Sequence, residues 1–132
     1  MIIDSSALIA IALREPERDA FYKAIEDDWV RKMSAASYVE CAEVYFRKIN
    51  LEAGQRLLDE DLRDLGVTIV AVTAEQAFVA AEARRIYGKG RHRADLNYGD
   101  SFAYALAMVM DEPLLFKGND FIHTDVKRAI PS

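Results

Sequence analysis

Apolar positions along this chain recur with two different periods, and the switches between them mark its elements. Met1-Ile2-Ile3 is a short apolar run halted by Asp4, and after Ser5 and Ser6 comes the wholly apolar segment 7–13. A buried strand, a sharp turn at Asp4 and a buried helix is the simplest arrangement for that pattern. Arg14-Glu15-Pro16 breaks the helix, and Pro16 suits the first turn of the next one, where Phe21, Ile25 and Trp29 recur at helical spacing. A short strand is predicted over 30–33. Ser34 or Ser37 then caps a helix over 36–49 with Val39, Ala42, Phe46 and Ile49 as its apolar stripe.

A second amphipathic helix over 51–65 carries Leu58, Leu62 and Leu65 on one face and ends at Gly66. The β-branched run 67–72 predicts a strand. Thr73-Ala74-Glu75-Gln76 has the pattern of a capping box, so a helix opens there and runs to about Tyr87, where Gly88 closes it. A polar loop over 88–99 leads to a helix rich in small residues from Asp100 to Met110, then an apolar strand over 113–116 and an edge strand within 126–130. Strands and helices alternate throughout. That order predicts one α/β domain over residues 1–132, with a mostly parallel central sheet and helices on both faces.

Composition narrows this picture. With 132 residues, 52% of them apolar, the chain can bury a real core in one domain and is not a disordered sequence. A formal net charge of −5 argues against a general nucleic-acid binder, which is usually basic. It does not argue against a nuclease, because a metal site needs clustered acids and a small basic patch can still guide the substrate. Cys41 is the only cysteine, so an internal disulfide is ruled out, as suits a reducing cytosol and a cytoplasmic protein. Segment 2–13 is interrupted by Asp4 and too short to span a bilayer, and it does not read as a signal peptide. No membrane partner is expected.

Four acids stand out by position. Asp4 ends the first strand, Asp120 follows the last central strand, Asp100 opens a helix just after Tyr98-Gly99, and Glu40 lies near the start of a helix that follows a strand. In a parallel sheet all four fall on the edge made by the carboxyl ends of the strands, where such sheets bind ligands. Converging carboxylates repel and need a cation, and all-oxygen ligation suits Mg²⁺ or Mn²⁺. Each acid also has a structural reading. Asp4 is a good helix cap, Ser37-x-x-Glu40 is a capping box, Asp100 complements a helix dipole with Asn97 as cap, and Asp120 is an ordinary turn residue. Glu43 is best placed as the partner of Arg47 one helical turn on. The loop Lys89-Gly90-Arg91-His92-Arg93 is the densest basic run of the chain and leads into Asp100, a place where phosphates would be held. One cysteine and two isolated histidines make a zinc site improbable, and Gly88-Lys89-Gly90 lacks the form of a phosphate-binding P-loop.

At these residues the chain resembles the PIN-domain nucleases. The resemblance is carried by Ile3-Asp4-Ser5-Ser6-Ala7-Leu8, by 34–40, by Asn97-Tyr98-Gly99-Asp100 and by Asn119-Asp120-Phe121, and it extends over essentially the whole chain. It is closest to the VapC toxins of VapBC toxin–antitoxin pairs. The resemblance implies an endoribonuclease dependent on Mg²⁺ or Mn²⁺, which hydrolyses RNA with a metal-activated water and leaves a 5′-phosphate and a 3′-hydroxyl. Asp4 and Asp100 match the family's main metal ligands, Glu40 its helix glutamate, which helps hold the metal or orient the water, Asp120 the region of a fourth acid that completes the metal shell, and Ser6 a small polar residue beside the first. Phe116 and Gly118 depart from the threonine and acid that many relatives carry. The family also implies a homodimer and a cognate VapB-type antitoxin. Arg91, His92, Arg93 and Lys117 are the candidates for holding RNA phosphates, with single-stranded loops the expected target. Two rivals remain: a non-catalytic module whose acidic groove binds a basic peptide, and a receiver-like phosphoryl acceptor.

Overall fold

The computed structural model describes residues 1–131. Its elements are β1 (Ile2–Ile3), α1 (Ser5–Ala12), α2 (Arg18–Glu26), β2 (Lys32–Ser34), α3 (Ala35–Lys48), α4 (Gly54–Asp64), β3 (Thr68–Val70), α5 (Ala74–Tyr87), α6 (Tyr98–Met110) and β4 (Leu114–Leu115). The strands form one sheet in the order β3-β2-β1-β4. Every pairing is parallel, with Ile2 beside Lys32 and Leu114, and Met33 beside Ile69. All carboxyl ends of the strands therefore share one edge.

These strands are too short to hold a sheet by pairing alone, and the helices stabilise it from both sides. Successive residues of a strand face opposite ways. Met1, Ile3 and Met33 enter one cluster with Leu8, Ile25, Tyr45, Leu58 and Leu62 from α1 to α4. Ile2 and Leu114 enter the other with Ala83, Ala103, Leu106 and Phe121. The loop after β4 is tied down by Phe121 packing against Phe116 and by the Tyr104 hydroxyl donating to Asp125. No described helix is long and apolar enough to cross a membrane.

Several local expectations are corrected. Trp29 is not on the buried face of α2 but 99% exposed, because the helix ends at Glu26 and a turn, closed by the Val30 N–H donating to Asp28 Oδ1 at 2.9 Å, swings it outward. Pro16 lies two residues before that helix rather than in its first turn. The α3 cap is Ser34, and the face it buries is Ser37, Cys41, Ala42 and Tyr45. Val39 and Ile49 are left exposed. Packing of α3 against α1, α4 and α6 buries the face of Ser37, Cys41, Ala42 and Tyr45, with Tyr45 fully enclosed and its hydroxyl donating to Asp61 Oδ2 at 2.6 Å. Residues 51–53 form a turn held by Asn50 Oδ1, so α4 starts only at Gly54, and Gly66 at φ +68° ends it as expected. Thr73 caps α5, but the Gln76 side chain donates to Ala71 O instead of completing a capping box. The expected tail strand reduces to a single parallel bridge between Leu114 and Arg128.

Candidate active site

Asp4 is placed by the end of β1. Its N–H donates to Leu115 O at 2.9 Å, which fixes the strand end, and its side chain turns to cap α1. Oδ2 accepts the Ser6 N–H at 3.1 Å and the Ser6 hydroxyl at 2.5 Å. The capping role and a role in the site are therefore compatible. Asp4 is only 3% exposed, and this burial raises its carboxyl pKa against the lowering effect of the bonds from Ser5 and Ser6.

Glu40 lies beyond the first turn of α3. Since Ser34 is the cap, the Ser37-x-x-Glu40 capping box does not form, and Ser37 is instead fully buried with its hydroxyl unpartnered. The Glu40 carboxylate shares a cleft with Ser5 and Ser6 and lies over Gly99 in the first turn of α6. A Cβ on Gly99 would stand 2.1 Å from Glu40 Oε2. Burial raises the Glu40 pKa to about 7, with the charges of Asp4 and Glu43 adding to it. Glu43 thus acts on the acid group and forms no pair with Arg47. Pairs that do form four residues apart are Lys23–Asp27 and Arg56–Glu60.

Asp100 forms a reciprocal capping box with Asn97: its N–H donates to Asn97 Oδ1 at 2.8 Å, and its Oδ2 accepts the Asn97 N–H at 3.0 Å. Its structural reading is therefore correct, yet it does not exhaust the residue. Burial pushes the carboxyl up to about 7 against that hydrogen bond, and Asp4, Asp120 and Glu40 push the same way. Asp120 is exposed in the turn after β4, just past Gly118 at φ +97°. Its charge acts on both Asp4 and Asp100. The four acids from distant parts of the chain thus share one electrostatic neighbourhood.

Among the described residues, no three His, Cys, Asp or Glu side chains are already drawn together as a metal-ligand set. The reason is visible in the hydrogen bonds, since Asp4 Oδ2 is held by Ser6 and Asp100 Oδ2 by Asn97 while like charges oppose closer approach. The donor chemistry nevertheless fits a hard divalent cation, with carboxylate oxygens as the available ligands. Burial leaves Cys41 as an inert neighbour, its thiol pKa raised further by Asp4 and Glu40.

The basic candidates are placed differently from the acids. Arg91 Nη1 donates to Arg84 O at 3.2 Å, and His92 Nδ1 accepts the Ala94 N–H at 3.0 Å while its ring meets Tyr87 edge-on. Arg93 is exposed. These residues pack the loop on the end of α5, which delivers Asn97 to its capping position. Lys117 is not a free cation: Nζ pairs with Glu15 at 2.6 Å and Glu17 at 3.0 Å. Its backbone N–H donates to Ser6 Oγ at 3.0 Å. Sequence reasoning missed Gly99, Ser5 and this Lys117 contact. Gly99 carried a signal, since a glycine inside the first turn of a helix weakens it and has no positive φ to explain it.

An all-parallel sheet with one buried and two half-buried carboxylates along its strand ends defines a class of α/β domain with an acidic edge. Comparison with known proteins narrows the class. The PIN domain family model matches residues 1–127. Ribonuclease VapC30 of Mycobacterium tuberculosis is 52% identical over 126 residues, covering 96% of this chain and 95% of that one. Ribonuclease VapC of Mycolicibacterium smegmatis is 54% identical over 126 residues, covering 96% and 97%. In fold, the chain is similar to VapBC2 of Rickettsia felis bound to a fragment of its promoter DNA, with a TM-score of 0.74 at 17% identity and coverage of 96% and 94%. It is also similar to M. tuberculosis VapC20, a toxin that cleaves the sarcin-ricin loop, with a TM-score of 0.71 at 14% identity and coverage of 95% of each chain. The chain belongs to the PIN-domain family and, within it, to the VapC ribonucleases.

Proposed function

We propose that this protein is a Mg²⁺- or Mn²⁺-dependent endoribonuclease and the toxin of a toxin–antitoxin pair. The observation that carries the reading is the placing of Asp4, Glu40, Asp100 and Asp120 along one sheet edge, where burial and the charges of neighbouring acids raise the pKa of Asp4, Glu40 and Asp100. Its relatives' names supply the substrate class, RNA. The fold neighbour solved as a VapBC complex supports a VapB-type antitoxin as partner. A basic segment of that partner would be attracted to the acidic pocket, which is the part of the binding-module reading that survives. A homodimer remains the expected assembly.

In this mechanism Asp4 and Asp100 would hold the divalent ion, with Asp120 contributing from the rim. A bound divalent ion supplies charge stabilisation at the phosphoryl group and lowers the pKa of water. Glu40 takes the proton that the attacking water gives up at a carboxylate oxygen. A half-buried carboxylate beside the metal-holding acids is a suitable general base for that proton. Ser6 and Asn97 keep Asp4 and Asp100 oriented. Exposed Arg93 and Lys89 are the free cations of the basic loop best able to meet flanking phosphates. The experiment is incubation of single-stranded RNA with the protein in Mg²⁺, in EDTA and as Asp4→Asn. Cleavage to 5′-phosphate ends in Mg²⁺ alone is expected. Equal cleavage in all three refutes the reading.

A further inference from the structure

Lys117 is expected from the sequence to hold phosphate, and in the structure its ammonium is engaged by two carboxylates. Its ammonium bridges Glu15 and Glu17 in the connection between α1 and α2, at 2.6 and 3.0 Å, and all three side chains are about one-third exposed. Its backbone N–H reaches Ser6 Oγ at 3.0 Å. That donor fixes the hydroxyl rotor. A serine oxygen that accepts on one side turns its own proton to another acceptor, and here that acceptor is Asp4 Oδ2 at 2.5 Å. The relay therefore runs from Glu15 and Glu17 through Lys117 and Ser6 to Asp4. The next residue, Gly118, reverses the chain at φ +97° and leads to Asp120. Lys117 thus stands at the root of one acid's loop and behind the orienting group of another.

The geometry points to Lys117 as a positioning residue for the acidic pocket: its salt bridges to Glu15 and Glu17 hold the backbone N–H that orients Ser6, and through Ser6 the Asp4 carboxylate. This rests on the metal-dependent reading above. Groups that orient metal ligands typically contribute about 10- to 100-fold in affinity when they act directly. Lys117 acts at one remove, so the low end of that range is expected. The sequence alone assigns it the opposite job, because an unpaired lysine beside an acidic pocket is a natural phosphate contact. The two roles make opposite predictions for Glu15 and Glu17. If they anchor a positioning residue, neutralising them weakens the pocket. If they merely mask a phosphate contact, neutralising them frees Lys117 and tightens RNA binding.

The test is Mn²⁺ binding by electron paramagnetic resonance, with RNA KM measured alongside at saturating metal. The proteins are wild type, Lys117→Met, Lys117→Arg, Glu15→Gln/Glu17→Gln, Ser6→Ala and Ser6→Ala/Lys117→Met, each checked for folding by thermal melt. Lys117→Met and the double glutamine variant should each weaken Mn²⁺ binding about tenfold with RNA KM unchanged. Lys117→Arg should restore it, and Lys117→Met should add nothing once Ser6 is alanine. Unchanged Mn²⁺ affinity in Lys117→Met with a raised RNA KM overturns the inference, as does full additivity with Ser6→Ala or a lowered RNA KM in the double glutamine variant. Wild-type protein that binds no Mn²⁺ overturns the metal-dependent reading itself, and this inference with it.

Discussion

The Glu40 carboxylate rests on the bare Cα of Gly99, so closely that a Cβ there would stand 2.1 Å from Oε2 and 2.7 Å from Cδ. Two helices that start at opposite ends of the sequence pattern, α3 and α6, are thereby brought into register at the site. The clash would fall on the far end of a flexible side chain, so Glu40 would move and the backbone would not. Gly99→Ala should melt within about 1 kcal/mol of wild type, since alanine also favours the helix. Its RNA cleavage should fall on the order of tenfold to a hundredfold through misplaced Glu40. Adding Glu40→Gln should cost little more. Full activity in Gly99→Ala would show that the position of Glu40 is unimportant.

The acids also set a pH dependence of stability. Glu40 and Asp100 titrate at about 7 in the folded protein, against ordinary values of 4.5 and 3.8. Between those limits the folded state binds more protons than the unfolded state, so stability falls as pH rises through this window and levels off above it. Melting in EDTA should therefore show a decreasing Tm from pH 5 to pH 8. Saturating Mg²⁺ should restore the loss most at the high end, because the ion displaces the same protons. A Tm in EDTA that rises over this range would contradict the assignment of raised pKa values.

Removing one charge from the cluster should stabilise the metal-free protein while damaging its activity. Glu40→Gln keeps the shape, relieves repulsion with Asp4 and Glu43, and should raise Tm in EDTA by a few degrees. Cleavage should drop at least tenfold. Thermal melts and initial rates on the same preparations decide the matter. A destabilised Glu40→Gln would mean that the carboxylate is held by structure rather than strained by it.

The legible part of this protein was the order of its elements and the identity of its acids. Short apolar runs ending at Asp4 and before Asp120, with amphipathic stretches between, are enough to specify a parallel sheet and the edge on which the acids gather. Helix faces were less legible. Helical spacing chose Val39 and Ile49 over Ser37 and Cys41, because periodicity measures hydrophobicity and does not say which side of α3 its neighbouring helices cover. Trp29 fits the helical spacing of Phe21 and Ile25, but the turn at Asp28 ends the helix first. The ion pairs of Lys117 were not legible, because Glu15 and Glu17 lie a hundred residues away and nothing local announces them.

These corrected positions can be checked by stability alone. Trp29→Ala should change unfolding free energy by less than about 0.5 kcal/mol, whereas Ile25→Ala should cost roughly 2–5 kcal/mol. Ser37→Ala should be close to neutral, since the hydroxyl it removes is buried without a partner. Denaturant titration distinguishes the three. A costly Trp29→Ala would place that ring in a contact the fold does not have.

The most direct test of the central claim, that acids from distant segments hold one cation together, is Mn²⁺ binding to Asp4→Asn, Asp100→Asn and the double variant. The account predicts that either single change weakens binding by at least tenfold and that the double change adds much less than the product of the two. Wild-type affinity in Asp100→Asn, or two losses that simply multiply, would mean that the carboxylates do not share an ion.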